Sequence, residues 1–342
     1  MAMRSVLDYE RRKMSVSHFS LVALCISLVV MIAFLGWTEW NHRRFPSLQV
    51  ERLTKQSQTV QNLLHGDAGE EIDRLYAIQN EITSLKFAYE QGEPILVSNQ
   101  LAYESLLEEL AKAGFSIDSS RTKEQIHLEI RRLKRMEGDG IEMVQSPYAL
   151  NAINLILLFL KSGFSYGLLV VYLIYGAYVF GWELDMSSYI PLFTSGAGRR
   201  TILLAKMIVC LKTLGIGTLF VVLCVGLFFV LLPFGNGNMP TVFDGRVWTT
   251  TQLVGQLALN SCFVFLFFTA LEMILYVWFL KQEMVVLGSL AFALLGVFIH
   301  WQLIPISLIQ TNDVFSLLTK GGVTVALVWF SWFWIKRKDL IV

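Results

Sequence analysis

Apolar residues in this chain run in long unbroken blocks separated by polar stretches, and the blocks exceed what a strand or an amphipathic surface helix needs. A helix crosses roughly 30 Å of hydrocarbon with about 20 mostly apolar residues. Blocks of that length lie at about 19–40, 164–182, 205–232, 254–280, 284–304 and 318–335. The pattern predicts an all-α integral membrane protein, with six transmembrane helices and a large helical extracellular insert between the first and the second.

The insert covers residues 41–150, and here the apolar positions become periodic. Leu53, Val60 and Leu64 form one set; Ile72, Leu75, Ile82, Leu85 and Tyr89 a second; Tyr103, Leu106, Leu107 and Leu110 a third; Ile126, Ile130 and Leu133 a fourth. Spacings of three and four residues predict three or four amphipathic helices. Breaks are expected at HGDAG (65–69), QGEP (91–94) and AGFSIDSS (113–120), where glycine, proline and short polar residues cluster. Thr122 with Gln125 three residues later is the pattern of a capping box opening the last helix. Such helices bury one face each, so they pack on one another, on a second copy or on an extracellular partner.

The remaining chain, 151–342, is the membrane domain. Residues 151–163 are apolar but short and carry Asn151, Asn154 and Lys161, which suits a helix lying at the membrane surface. The alternative is the outer half of a long second span. Residues 183–204 form a polar break, ELDMSSYIPLFTSGAGRRTILL, between the second and third spans.

Composition sharpens this picture: 54% of residues are hydrophobic and 16% charged, outside the usual range of a soluble enzyme. The net charge of +1 points to no nucleic-acid partner, and the distribution of charge carries more information than the sum. Arg4, Arg11, Arg12 and Lys13 precede the first span; Arg199, Arg200 and Lys206 separate the second from the third; Lys281 follows the fourth; Lys336, Arg337 and Lys338 follow the last. The loops at 234–253 and 305–317 hold a single basic residue between them, Arg246, and so read as external. The positive-inside rule then places both termini, including the tail 1–18, in the cytoplasm. The first block is read as an anchor, because it has full span length and ends in GWTEWNHRR without a small-residue cleavage site. Cys25, Cys210, Cys224 and Cys262 all fall inside predicted spans, so the insert is expected to hold together without a disulfide. A cysteine-free exported domain would suit a bacterium lacking an oxidising periplasm, and a bacterial plasma membrane is the expected location.

Motifs for catalysis are missing from the sequence. There is no G-x-x-x-x-G-K-[ST] loop for nucleotide phosphates, no Cys-x-x-Cys pair, no H-E-x-x-H helix and no G-x-S-x-G elbow. His18, His42, His65, His127 and His300 are scattered along the chain, which argues against a shared metal site. The expectation is a protein that is not itself an enzyme and binds no cofactor. Ionisable residues inside spans are costly and usually face protein or water. Glu272 and Lys212 lie at similar depth, roughly 10–13 Å from the cytoplasmic ends of their spans at 1.5 Å per residue. Three readings stay open for them: an ion pair, separate solvation, or a place on a transport pathway.

In the break at 183–204, Tyr189, Ile190, Leu192 and Phe193 give a short helix one apolar face. That face needs either the inner leaflet, with Arg199 and Arg200 on lipid phosphates, or a protein partner.

The same segment resembles the ABC-2 type permeases, the membrane subunits of many bacterial ABC exporters. Glu183, then Ser187 and Ser188, Leu192 and Phe193, the small residues Ser195 to Gly198, Arg199 and Arg200, and Lys206 in ILLAKMIV are similar to the stretch that follows the second span in that family. The aromatic-rich last span ending in WFWIKRKDL is similar too. The match departs at Met186-Ser187, where the family usually has Gly-Thr, and at Ala197-Gly198, where Pro and Ser are commoner. The resemblance implies two permease subunits working with two cytoplasmic ABC ATPase subunits, which would carry the ATP and Mg. It implies that the segment is a coupling helix, with Tyr189, Leu192 and Phe193 docking, Glu183 at the hinge and Arg199 and Arg200 on the ATPase or lipid headgroups. The substrate expected from the large insert is an amphipathic or antimicrobial peptide. A sensing or mechanotransmission complex acting through 41–150 is the alternative, and a membrane scaffold without an ATPase is a third class.

Overall fold

Long apolar blocks have few ways to satisfy their backbone other than helix, and the structure is mostly helical. The computed structural model describes residues 7–9, 12, 19–66, 71–185, 201–202, 204–212, 233, 235–279, 281–298 and 314–337. Contacts divide the chain into two units. One, polar, comprises Gly36–Leu157 and Leu232–Val254; the other, apolar, comprises Met1–Leu35, Leu158–Leu231 and Gly255–Val342.

The described elements are α1 (Phe19–Leu64), α2 (Ile72–Gln91), β1 (Ile95–Leu96), α3 (Val97–Lys112), α4 (Lys123–Gly138), β2 (Met143–Val144), α5 (Ala152–Lys161), α6 (Phe164–Asp185), β3 (Pro240–Phe243), β4 (Arg246–Thr249), α7 (Thr250–Phe279), α8 (Gln282–Phe298) and α9 (Val314–Arg337). Residues 204–212 are also helical. Two of these helices, α1 and α7, are long and apolar enough to cross a membrane, and α5 with α6 would make a third if the pair, bent by 65°, is one span. Gly163 follows the end of α5 at this bend. Helices α8 and α9 contain shorter apolar stretches. The six predicted spans thus appear in part, and most of 205–232 and the end of 284–304 lie outside the described residues.

In the polar unit the periodic positions become a core. Leu53 and Val60 of α1, Leu75, Ile78, Ile82 and Leu85 of α2, Tyr103, Leu107 and Leu110 of α3, and Ile126 and Ile130 of α4 are buried together. Ile72, assigned to the same apolar set from spacing, is exposed. The predicted boundary at residue 40 is not a break: α1 runs 46 residues through GWTEWNHRR, with Pro46 inside it. Gly92 caps α2 at φ 69°, a conformation that glycine adopts without a Cβ penalty. Thr122 and Gln125 form the capping box, Thr122 Oγ1 accepting from the Gln125 amide and Gln125 Oε1 from the Thr122 amide.

Two features go beyond the all-helical expectation. Strand β1 pairs antiparallel with β2, Ile95 opposite Val144 and Leu96 opposite Met143. Strands β3 and β4 form a hairpin closed by Asp244 and Gly245, both at positive φ. The loop predicted at 234–253 is therefore a folded part of the polar unit rather than a bare connection. Met239 packs beside Val97, Leu133 and Met136, and Arg132 Nε donates to the Pro240 carbonyl at 3.1 Å.

The apolar unit has its own core, built from α6, residues 204–212, α7 and α8. Tyr172, Leu173, Phe180, Cys210, Val264, Phe268, Met273, Tyr276 and Val285 are among its buried members. Phe34 of α1 stacks edge-on against Phe159 and Phe164, and Val30 lies 3.5 Å from where a side chain on Gly167 would begin. In contrast Leu21, Val22, Ile26, Val29 and Ile32 are exposed, as lipid-facing residues of a membrane helix are.

Candidate functional site

Polar side chains buried among apolar helices mark the candidate site, because each must find a partner or carry a desolvation cost. Helices α6 and α7 are cross-linked by a hydrogen bond between the Tyr172 and Thr269 hydroxyls, and Cys210 Sγ lies 3.7 Å from the same Tyr172 oxygen. One turn along each helix come Gly176 and Glu272. A Cβ on Gly176 would run into the Glu272 carboxylate, so the glycine is what lets α6 lie over that acid. Glu272 is fully buried, and among the described residues neither of its oxygens has a hydrogen-bond partner.

Of the three readings of Lys212 and Glu272, the ion pair is the one that the described residues do not show. Among the described residues no salt bridge joins them, and Lys212 is exposed. Depth along the helix axis was matched, but direction around it was not. Lys212 follows the buried Cys210 by two residues, about 200° around a helix at 3.6 residues per turn. Lys206, four residues before Cys210, shares its inward face. Lys206 is fully buried, donates to the Val179 carbonyl at 3.1 Å and lies 5.9 Å from the centre of the Tyr276 ring.

Sequence reasoning also passed over Lys320. This side chain is fully buried and donates to Asn260 Oδ1 at 2.7 Å, joining α9 to α7. The signal was available: Lys320 is a lone cation in the apolar SLLTKGGVTV, and Asn260 is the one asparagine of α7.

Of the predicted coupling residues, Glu183 lies in the last turn of α6. Tyr189, Leu192, Phe193, Arg199 and Arg200 lie outside the described residues.

The polar unit holds a second cluster, built of full charges. Asp118 accepts from Arg52, from Arg121 Nε at 2.7 Å and from Ser120 Oγ at 2.5 Å, while Arg121 also reaches Glu104 at 2.8 Å. The side chains of Asp118 and Glu104 are 3% and 1% exposed. Burial pushes the Asp118 carboxyl up, but Ser120, Arg121 and Arg52 together outweigh it and hold the group well below the usual carboxylate range. For Glu104 burial wins over Arg121, and its carboxyl is raised. Arg121 is held more firmly protonated despite its burial, through Glu104 and Asp118. Beside the cluster, Tyr103 donates to Gln56 Oε1 at 2.5 Å, and Arg52, Tyr89, Gln100 and Tyr103 line a small cavity.

Among the described residues no group of His, Cys, Asp and Glu could hold a metal ion. The chemistry on offer is hydrogen bonding and proton exchange at helix contacts. No family model, curated protein or solved structure matches this chain.

Proposed function

We propose that this chain is the membrane-embedded permease subunit of an ATP-driven exporter of the ABC-2 type, resident in a bacterial plasma membrane with both termini in the cytoplasm. The observation that carries the reading is the set of buried polar groups at helix contacts of the apolar unit: Tyr172 with Thr269, Glu272 against Gly176, Lys206 on Val179, and Lys320 on Asn260. Such groups are expensive in a membrane, face the bundle interior or a water-filled cavity, and mark substrate or ion pathways. The segment after α6 supports the reading through its resemblance to the family's coupling helix. Residues 41–150 and 234–253 were assigned to one side of the membrane from charge alone, and the bond from Arg132 to Pro240 is consistent with that assignment.

In this proposal Leu192 and Phe193 dock on a separate ATPase whose closure on ATP moves α6 and its neighbours. Six spans, a second permease subunit and an amphipathic peptide substrate belong to the same proposal. The test is copurification of the full chain with an ABC ATPase encoded beside it, together with ATP-dependent efflux in vesicles. Replacing Leu192 and Phe193 by Asp should abolish both. Retention of both would overturn the docking assignment.

Mechanotransmission to an extracellular partner is the second reading. It is favoured by α1, which continues unbroken from its apolar half to Leu53 and Val60 in the core of the polar unit. A complex that hydrolyses ATP and binds an external protein through 41–150, yet moves no substrate, would select it.

A further inference from the structure

We infer that Glu272 is an intramembrane proton-binding site whose occupancy is tied to the packing of α6 on α7. This role is independent of any ATPase. The acid is fully enclosed, and the backbone of Gly176 lies so close to its carboxylate that not even a methyl group fits between them. A metal ion, an ammonium group or a substrate cannot enter that space; a proton can. Among the described residues no cation offsets a charge there either. Lys206, the nearest inward-facing cation in sequence, is turned to Val179 and Tyr276, and Lys212 is exposed. The titratable groups that bear on the carboxyl are the Tyr172 hydroxyl from α6 and the Cys210 thiol from 204–212. Both are neutral and supply no counter-charge. An ionised carboxylate without a donor or counter-ion is among the costliest groups to bury, so the packed arrangement holds the protonated acid.

When α6 and α7 part, water reaches the carboxyl and its O–H bond releases the proton to that water. When they close, the carboxylate takes one proton back from solvent. Linkage fixes the sign: the packed state binds the extra proton, so lowering the pH favours packing and raising it favours separation, by at most about tenfold per pH unit for one proton.

The test uses the full chain in lipid nanodiscs. The infrared spectrum of wild type minus Glu272→Gln at neutral pH should contain the C=O stretch of a protonated carboxylic acid, shifting to lower frequency in deuterated water. A difference spectrum with carboxylate bands alone would overturn the proposal. Should Glu272→Gln not accumulate, glutamate labelled with carbon-13 in a Glu104→Gln background gives the same reading, because that background removes the other glutamate buried among the described residues. The packed-to-parted ratio, followed by exchange protection of α6 and α7, should fall with rising pH in wild type and be flat in Glu272→Gln. A parallel pH slope in both would equally overturn it.

Discussion

Lys320 donates a hydrogen bond to Asn260 Oδ1 at 2.7 Å, and both residues are fully buried where α9 meets α7. A hydrogen bond to a charged group contributes about 1.5–3 kcal/mol, and an acceptor removed from a buried cation is not replaced by water. Asn260→Ala should therefore cost about 2 kcal/mol, read as a shorter half-life of the folded chain in detergent. Asn260→Leu with Lys320→Met replaces both polar groups by apolar ones and should cost less than the two single changes summed.

The cluster around Asp118 predicts a two-sided pH dependence. For Asp118, held below its ordinary value by Ser120, Arg121 and Arg52 against the effect of burial, the unfolded chain binds more protons below about 3.9. Its contribution is present above that pH and is lost as pH falls through the folded value. Glu104 has the opposite sign: burial raises its carboxyl, so the folded chain binds more protons above about 4.3. Stability of the polar unit should therefore rise modestly as pH falls toward about 4.3 and then drop below about 3.9. Hydrogen exchange over 97–138 in the full chain, corrected for intrinsic rates, measures this. Asp118→Asn should lower neutral-pH stability by about 3 kcal/mol, since it leaves Arg52 and Arg121 without their shared carboxylate, and should remove the acid loss.

Gly176 and Glu272 predict a coupling that neither residue shows alone. Gly176→Ala forces the buried carboxylate to move and should cost about 1–3 kcal/mol, the range for overpacking a filled core. In a Glu272→Ala background the same methyl enters vacated space. The cost of Gly176→Ala should then shrink or reverse, measured as a double-mutant cycle on thermal inactivation. Equal costs in both backgrounds would show that the two residues do not meet.

What could be read from the sequence followed from periodicity, and what could not followed from direction. The polar core was legible because spacings of three and four residues put Leu75, Ile82, Leu85, Tyr103, Leu107, Leu110, Ile126 and Ile130 on inward faces. Thr122 and Gln125 were legible because a capping box is local. In the apolar unit every face is hydrophobic, so no periodicity says which way a helix points. That is why depth alone left an ion pair of Lys212 with Glu272 open as one of three readings, while Lys206 and Lys320, which turn inward among the described residues, were respectively assigned to a loop and overlooked. The pairing of β1 with β2 joins two-residue strands separated by two helices, too short to leave an alternating pattern.

The hairpin of β3 and β4 had a readable signal that was missed, the Asp244-Gly245 pair between PTVF and RVWT. A two-residue loop with both residues at positive φ matches the right-handed twist of the strands, and Asp-Gly is a favoured pair for it. Gly245 sits at φ 69°, and a Cβ there meets nothing within 4 Å, so any cost of substitution comes from the backbone rather than from crowding. Gly245→Val should cost about 1–2 kcal/mol through that strain. The loss should appear as faster hydrogen exchange across 240–249, while the core around Leu75 and Leu110 keeps its protection. Arg132→Ala, which removes the bond to the Pro240 carbonyl but leaves the turn intact, should loosen the hairpin's docking on α4 without unpairing β3 from β4. Exchange at the amides that pair across the two strands separates these outcomes: it should rise in Gly245→Val and stay low in Arg132→Ala.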